Sequence, residues 1–102
     1  MRNSYYWVYI LFCQNGAYYT GYTTDLVRRY QEHLAGIASK YTRSFKPVRV
    51  AQSWQVVGNK SLAMKIECAI KKMSKKQKEE LILYPERLHS FLDQDSLQER
   101  IP

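Results

Sequence analysis

Cysteine is scarce in this 102-residue chain: Cys13 and Cys68 are the only two. They lack metal-ligand spacing and can form at most one bridge, which excludes a disulfide scaffold or a zinc cluster as the organising element. Both fall in apolar runs, so they read as buried free thiols in a reducing compartment. Long hydrophobic runs are missing too. The nine apolar residues from Tyr5 to Cys13 follow Arg2 and look like a signal-peptide core, yet no small-x-small cleavage site follows and the run is too short to span a bilayer. It reads as a central strand of a cytoplasmic protein. The chain also lacks internal repeats, low-complexity segments and linkers, and its length fits one domain with one modest core. We expect residues 1–83 to carry the functional domain and residues 84–102 to form a helical or irregular tail of it.

Acidic residues are few where basic ones are many. The formal net charge is +7, and residues 1–83 hold 14 Lys or Arg against 5 Asp or Glu. The segment from Tyr84 onward reverses the balance, with 2 basic and 4 acidic residues. A small domain this basic suits a polyanion, because releasing counterions from a phosphate backbone rewards clustered Lys and Arg. A membrane surface is the weaker reading, since no predicted helix joins a strong apolar face to a uniformly basic one.

The pattern of residues predicts an α+β fold. Trp7 to Cys13, an Asn15-Gly16 turn and Tyr18 to Thr23 form a hairpin. Thr24 or Asp25 caps a helix that runs to about Leu34, with Gly36 placed to end it. Ile37 to Pro47 reads as a basic loop holding Lys40, Arg43 and Lys46. Val48 to about Val56 is a third strand, and Gly58-Asn59 turns into a helix from about Lys60 to Lys72. That helix presents Leu62, Ile66, Ala69, Ile70 and Met73 as its apolar stripe. Ser74-Lys75-Lys76-Gln77 has capping-box form and opens a further helix that ends near Tyr84-Pro85. The expected order is β-β-α-β-α-α, a small three-stranded antiparallel sheet flanked by helices.

Hairpin register decides whether Tyr9 and Tyr19 work together. A two-residue turn pairs Tyr9 with Tyr22 and puts Tyr9 and Tyr19 on opposite faces. A three-residue loop, Gln14-Asn15-Gly16 with Gly16 left-handed, instead pairs Cys13 with Ala17, Leu11 with Tyr19 and Tyr9 with Gly21. The two tyrosines then become diagonal neighbours on one face, roughly 7 to 8 Å apart at the backbone. We expect this second register, with Gly21 leaving the Tyr9 ring uncovered and approachable.

Arg29 and His33 stand four apart on the first helix and so share a face, beside an apolar stripe of Leu26, Tyr30 and Leu34. Alone, either one reads as part of a solvated charged face; behind the hairpin, the pair reads as part of a site. Glu67 sits at the margin of an apolar helix face, where it either pairs with Lys71 or serves as a ligand for a hard cation.

These residues together resemble the GIY-YIG nuclease superfamily. Trp7-Val8-Tyr9 matches the first motif through its tyrosine, Tyr19-Thr20-Gly21 matches the second, and Arg29, His33 and Glu67 match the downstream arginine, histidine and glutamate. The resemblance covers about residues 5 to 83 and is nearest to the small single-domain bacterial members. Trp7, Val8 and Thr20 replace the motifs' glycine and isoleucines, and the asparagine that some relatives place after the glutamate has no match in residues 68 to 83.

The resemblance implies metal-dependent hydrolysis of a nucleic-acid phosphodiester, in the manner of endonucleases of DNA repair or recombination. Tyr9 would be the general base. Arg29 would stabilise charge on the phosphoryl oxygens, Tyr19 and His33 would orient, and Glu67 would hold one Mg²⁺ or Mn²⁺. Lys71, Lys72, Lys75, Lys76 and Lys78, joined by Lys40, Arg43 and Lys46, read as a phosphate-contacting groove or as an ordinary solvated face. Of the remaining tyrosines, Tyr41 is the one best placed to stack on a base. DNA is favoured over RNA as the partner, and no membrane partner is expected. A nucleic-acid-binding module that keeps the fold without cleaving is the alternative.

Overall fold

The computed structural model describes residues 5–92. Strand β1 (Tyr5–Cys13) turns into β2 (Tyr18–Thr23), helix α1 (Leu26–Leu34) and a short helix α2 (Lys40–Ser44) follow, then β3 (Pro47–Val57), α3 (Lys60–Lys71) and α4 (Lys75–Leu83). A 3-10 turn at Pro85–Arg87 leads into helical residues 88–92. This is the expected α+β order with one addition. The segment read as a basic loop contains α2, because the Ser39 side chain accepts a hydrogen bond from the Thr42 amide and caps a helical turn. The end of the expected C-terminal tail, residues 93–102, lies outside the described residues.

The three strands form one antiparallel sheet in the order β2-β1-β3. A central strand is covered on both faces, which explains why β1 is apolar throughout rather than alternating. On one face Val8 and Ile10 meet Ala63, Ile66 and Ile70 of α3 and Leu81 of α4. Leu88 is buried in the same cluster, with Phe91 and Leu92 against it. On the other face Tyr9, Leu11 and Cys13 pack with Tyr19 and with Leu26 and Tyr30 of α1. Burying one such aliphatic side chain contributes roughly 1.5 to 3 kcal/mol, so these two layers hold the helices to the sheet.

The hairpin takes the three-residue loop. Tyr9 pairs with Gly21 and Leu11 with Tyr19, while the Cys13 amide donates to the Ala17 carbonyl at 2.9 Å. Gly16 has φ +81°, the left-handed value that the loop requires of its last residue. Helix caps follow the sequence as well: Asp25 caps α1, Asn59 caps α3, and Ser74 with Gln77 closes a full capping box on α4.

Packing corrects three expectations. Cys13 is buried, but Cys68 is exposed on α3. The buried stripe of α3 is Ala63, Ile66 and Ile70, and Leu62 is an exposed apolar residue against Gly58. On α1 the stripe shifts by one residue, so that Leu34 is exposed and His33 is buried. In both helices the buried stripe is set by contact with the sheet, which periodicity alone does not define.

Candidate active site

The two faces of the sheet converge at its β2 edge. Tyr9, Tyr19 and Gly21 approach from one face with Arg29 and His33 of α1. Tyr6 and Tyr22 approach from the other with Lys60 and Glu67 of α3. All nine line a single cavity of about 450 Å³. The sheet has only three strands, and Arg29 of α1 and Glu67 of α3 line the same space although their helices pack on opposite faces. The five residues singled out for catalysis, Tyr9, Tyr19, Arg29, His33 and Glu67, thus line one space although the first and last are 58 residues apart in sequence.

Tyr9 is not uncovered. Its side chain is 2% exposed, and its ring lies over Gly21: a β-carbon built there would stand 2.6 Å from the hydroxyl oxygen and 2.7 Å from Cζ. Gly21 makes room for the tyrosine itself rather than for an incoming group. The hydroxyl meets His33 Nε2 at 2.8 Å. Burial pushes the Tyr9 phenol well above its ordinary value. The nearby Tyr19, Glu67 and Glu32 add to the rise, and the Arg29 guanidinium opposes it.

His33 is 1% exposed, and its second nitrogen, Nδ1, meets Thr42 Oγ1 at 2.7 Å. Thr42 is fully buried and its hydroxyl lies 2.8 Å from Ser39 Oγ. Burial and the Arg29 charge lower the His33 pKa to about 4, with Glu32 opposing, so the imidazole is neutral at neutral pH. The Tyr19 ring packs edge-on to this imidazole, with centroids 5.1 Å apart. Ser39 and Thr42 lie in the segment that the sequence pattern reads as a loop, and so are absent from the expected site. Ser39, a favoured N-cap residue, is the available signal.

Arg29 does not stand free. Its Nη1 lies 3.3 Å from Glu32, which also pairs with Arg28 at 3.3 Å, so the acid braces both guanidinium groups on α1. Glu67 is mostly covered and lies 3.7 Å from Lys71, one helical turn on. Among the described residues it is the single carboxylate lining the cavity. Among the described residues no group of three His, Cys, Asp or Glu side chains is arranged to enclose a metal. One hard oxygen donor beside open space suits a cation that takes one protein carboxylate and fills its shell with water and phosphate oxygens.

The basic residues separate into two sets. Lys71 and Lys78 line a smaller cavity of about 210 Å³ with Tyr19 and Tyr41, directly adjoining the first through Tyr19. Tyr41 stacks on Tyr19 at 23° between planes, and Asn15 of the hairpin loop donates to its hydroxyl at 2.9 Å. Lys75 lies over the Tyr18 ring, and Lys72 and Lys76 are exposed near the turn between α3 and α4. Lys40 and Arg43 are exposed on α2. Lys46 differs from all of these, because its Nζ donates to the Leu34 carbonyl at 2.8 Å and ties off the end of α1. Lys60, at the mouth of the main cavity, is the cation the sequence reading left out.

A model of the GIY-YIG catalytic domain matches residues 5–80 of the chain, the span that builds the hairpin, α1, α3 and this cavity. The chain belongs to the GIY-YIG family. GIY-YIG domains are nuclease domains that generally use a divalent metal and act on nucleic acid. A UPF0213 protein of Halalkalibacterium halodurans is 43% identical over 77 residues, 76% of this chain and 81% of the relative. A UPF0213 protein of Halobacterium salinarum is 49% identical over 74 residues, 72% of this chain and 95% of the relative. The solution NMR structure of a UPF0213 protein from Bacillus halodurans, 42% identical, covers 76% of this chain and 82% of that one with a TM-score of 0.48. No helix among the described residues of this GIY-YIG domain is long and apolar enough to cross a membrane.

Proposed function

We propose that this GIY-YIG domain is a metal-dependent endonuclease that hydrolyses nucleic-acid phosphodiesters, selecting strand or structure rather than sequence, with DNA the favoured substrate. The observation that carries the reading is the shared cavity of Tyr9, Tyr19, Arg29, His33 and Glu67. Tyr9 is the base that takes a proton from the attacking water. Its hydroxyl can relinquish its own proton to the Nε2 atom of a neutral His33, which is in place at 2.8 Å. Arg29 presents a planar fork to the phosphoryl oxygens, with Glu32 holding its orientation. Tyr19 closes one side of the imidazole and keeps water from it. Glu67 is the residue that would hold one Mg²⁺ or Mn²⁺, which when bound neutralises charge growing at the leaving oxygen. Lys60 and the Lys71, Lys78 and Tyr41 surface bind the backbone on either side, and phosphate contacts of this kind carry no sequence information.

Two observations favour a second reading, a binding module with little cleavage. The Tyr9 proton is held more firmly than in a free phenol, and Glu67 is already paired with Lys71. Incubation with single-stranded, branched and plasmid DNA, and with RNA, in Mg²⁺ or Mn²⁺ separates the two. A nuclease cuts at least one of these, and Arg29→Ala and Glu67→Ala abolish the cutting. Uncut substrates that still shift in a binding assay establish the module instead.

A further inference from the structure

Behind the Tyr9 and His33 pair the hydrogen bonds continue through two hydroxyls. Tyr9 Oη, His33 Nε2, His33 Nδ1, Thr42 Oγ1 and Ser39 Oγ follow one another at 2.8, 2.7 and 2.8 Å, with the imidazole bridging its own two nitrogens. The chain begins at a buried phenol and ends at Ser39, which is half-buried. Capping of α2 does not explain it, because the cap needs only Ser39 Oγ and the Thr42 amide, 3.1 Å apart. The Thr42 hydroxyl is spare to that task. A fully buried hydroxyl is costly unless it has partners, and Thr42 has two, His33 and Ser39.

We propose that Thr42 and Ser39 are positioning residues of the active site: their hydroxyls fix the tautomer of His33 and complete a path along which the Tyr9 proton leaves toward the surface. This rests on the assignment of Tyr9 as base. In the resting orientation the Tyr9 O–H donates to His33 Nε2, Nδ1–H donates to Thr42 Oγ1, and the Thr42 O–H donates to Ser39 Oγ. The Tyr9 proton has its acceptor in that order, whereas in the reverse order it must find another in the cavity. Moving each proton one place outward transfers the Tyr9 proton to Nε2, the Nδ1 proton to Thr42, the Thr42 proton to Ser39 and the Ser39 proton to bulk water. One proton leaves and one negative charge remains on the Tyr9 oxygen, now accepting from Nε2–H. That oxygen then takes the proton of the attacking water. The network resets when Tyr9 passes this proton to water in the cavity and takes back the Nε2 proton, while one proton returns from bulk water through Ser39 and Thr42 to Nδ1. The imidazole stays uncharged throughout, as its buried position beside Arg29 demands.

The test combines nitrogen-15 NMR of the His33 ring with cleavage kinetics on parent, Thr42→Val, Thr42→Ser and Ser39→Ala proteins. The parent should show the Nδ1–H tautomer. Thr42→Val, which is nearly isosteric, should move His33 to the Nε2–H tautomer and lower kcat about 10- to 100-fold with KM little changed. Thr42→Ser should restore both. Ser39→Ala should lower kcat while leaving the tautomer as in the parent. The proposal is overturned if the parent carries the proton on Nε2, if Thr42→Val keeps the parent's tautomer and kcat, or if Thr42→Ser is as impaired as Thr42→Val. Should Thr42→Val not fold, the parent tautomer together with the Thr42→Ser and Ser39→Ala kinetics decides by the same criteria. The tautomer is read without any substrate, so a parent that cuts nothing refutes the nuclease reading separately from the hydroxyl network.

Discussion

Gly21 and the Tyr9 hydroxyl occupy the same space: the position a β-carbon would take at residue 21 is 2.6 Å from the phenol oxygen. The pairing of these residues across the hairpin creates this overlap, and the backbone of Gly21 itself needs no left-handed conformation. Gly21→Ala should therefore push the Tyr9 ring off His33, costing about 1 to 3 kcal/mol of stability from overpacking and most of the activity. A double-mutant cycle checks the cause by urea denaturation: the cost of Gly21→Ala should largely vanish in a Tyr9→Leu background.

Removing only the oxygen isolates its chemistry. Tyr9→Phe leaves the ring in place and leaves His33 Nε2 buried without its partner, which should cost about 1 to 3 kcal/mol. Cleavage should fall to background while binding of a short oligonucleotide stays within a few-fold of the parent. Parent-level cleavage by this variant would remove Tyr9 from the role of base.

His33 gives the fold a pH dependence whose sign follows from its pKa. The native imidazole titrates at about 4 rather than 6.5, so between these values the unfolded chain binds a proton that the native chain does not. Stability should fall as pH drops from 6.5 to about 4, by on the order of 3 kcal/mol from this group, and the contribution should be complete below that range. Arg29 steepens the loss and Glu32 moderates it. Denaturant melts of parent and His33→Gln at pH 7 and pH 4.5 measure it, and the variant should lose less.

Glu67 faces the cavity and pairs with Lys71 at 3.7 Å across one helical turn. Glu67→Gln should leave stability within about 0.5 kcal/mol, since a pair of this kind on a helix surface contributes little. It should also abolish cleavage in Mg²⁺ or Mn²⁺. Isothermal titration with Mn²⁺ should show weak binding to the parent and none to the variant.

The lysines should divide by what they touch. Lys78→Ala, beside Lys71 and Tyr41, should weaken oligonucleotide binding and reduce the slope of log K against log salt by about 1. Lys46→Ala should leave that slope unchanged and instead cost about 0.5 to 1.5 kcal/mol, because its ammonium serves the Leu34 carbonyl. Fluorescence anisotropy at several salt concentrations and thermal melts distinguish the two.

Local chemistry carried the sequence reading a long way. Loop length and Gly16 dictate the hairpin register, and register alone sets Tyr9 opposite Gly21 and on the face of Tyr19. Asp25, Asn59 and the Ser74-Gln77 box start their helices through hydrogen bonds made within a few residues, so the order of elements needed no knowledge of packing. Tertiary structure decided the rest. It turned His33 inward against Thr42, rotated the buried stripes of α1 and α3, and claimed Lys46 for a helix end. It also brought Arg29 of α1 and Glu67 of α3 into one cavity with Tyr9. Burial and long-range contact determine whether a side chain is a solvated charge or a neutral link in a hydrogen-bonded chain, and neither is written in the spacing of residues along one strand or helix.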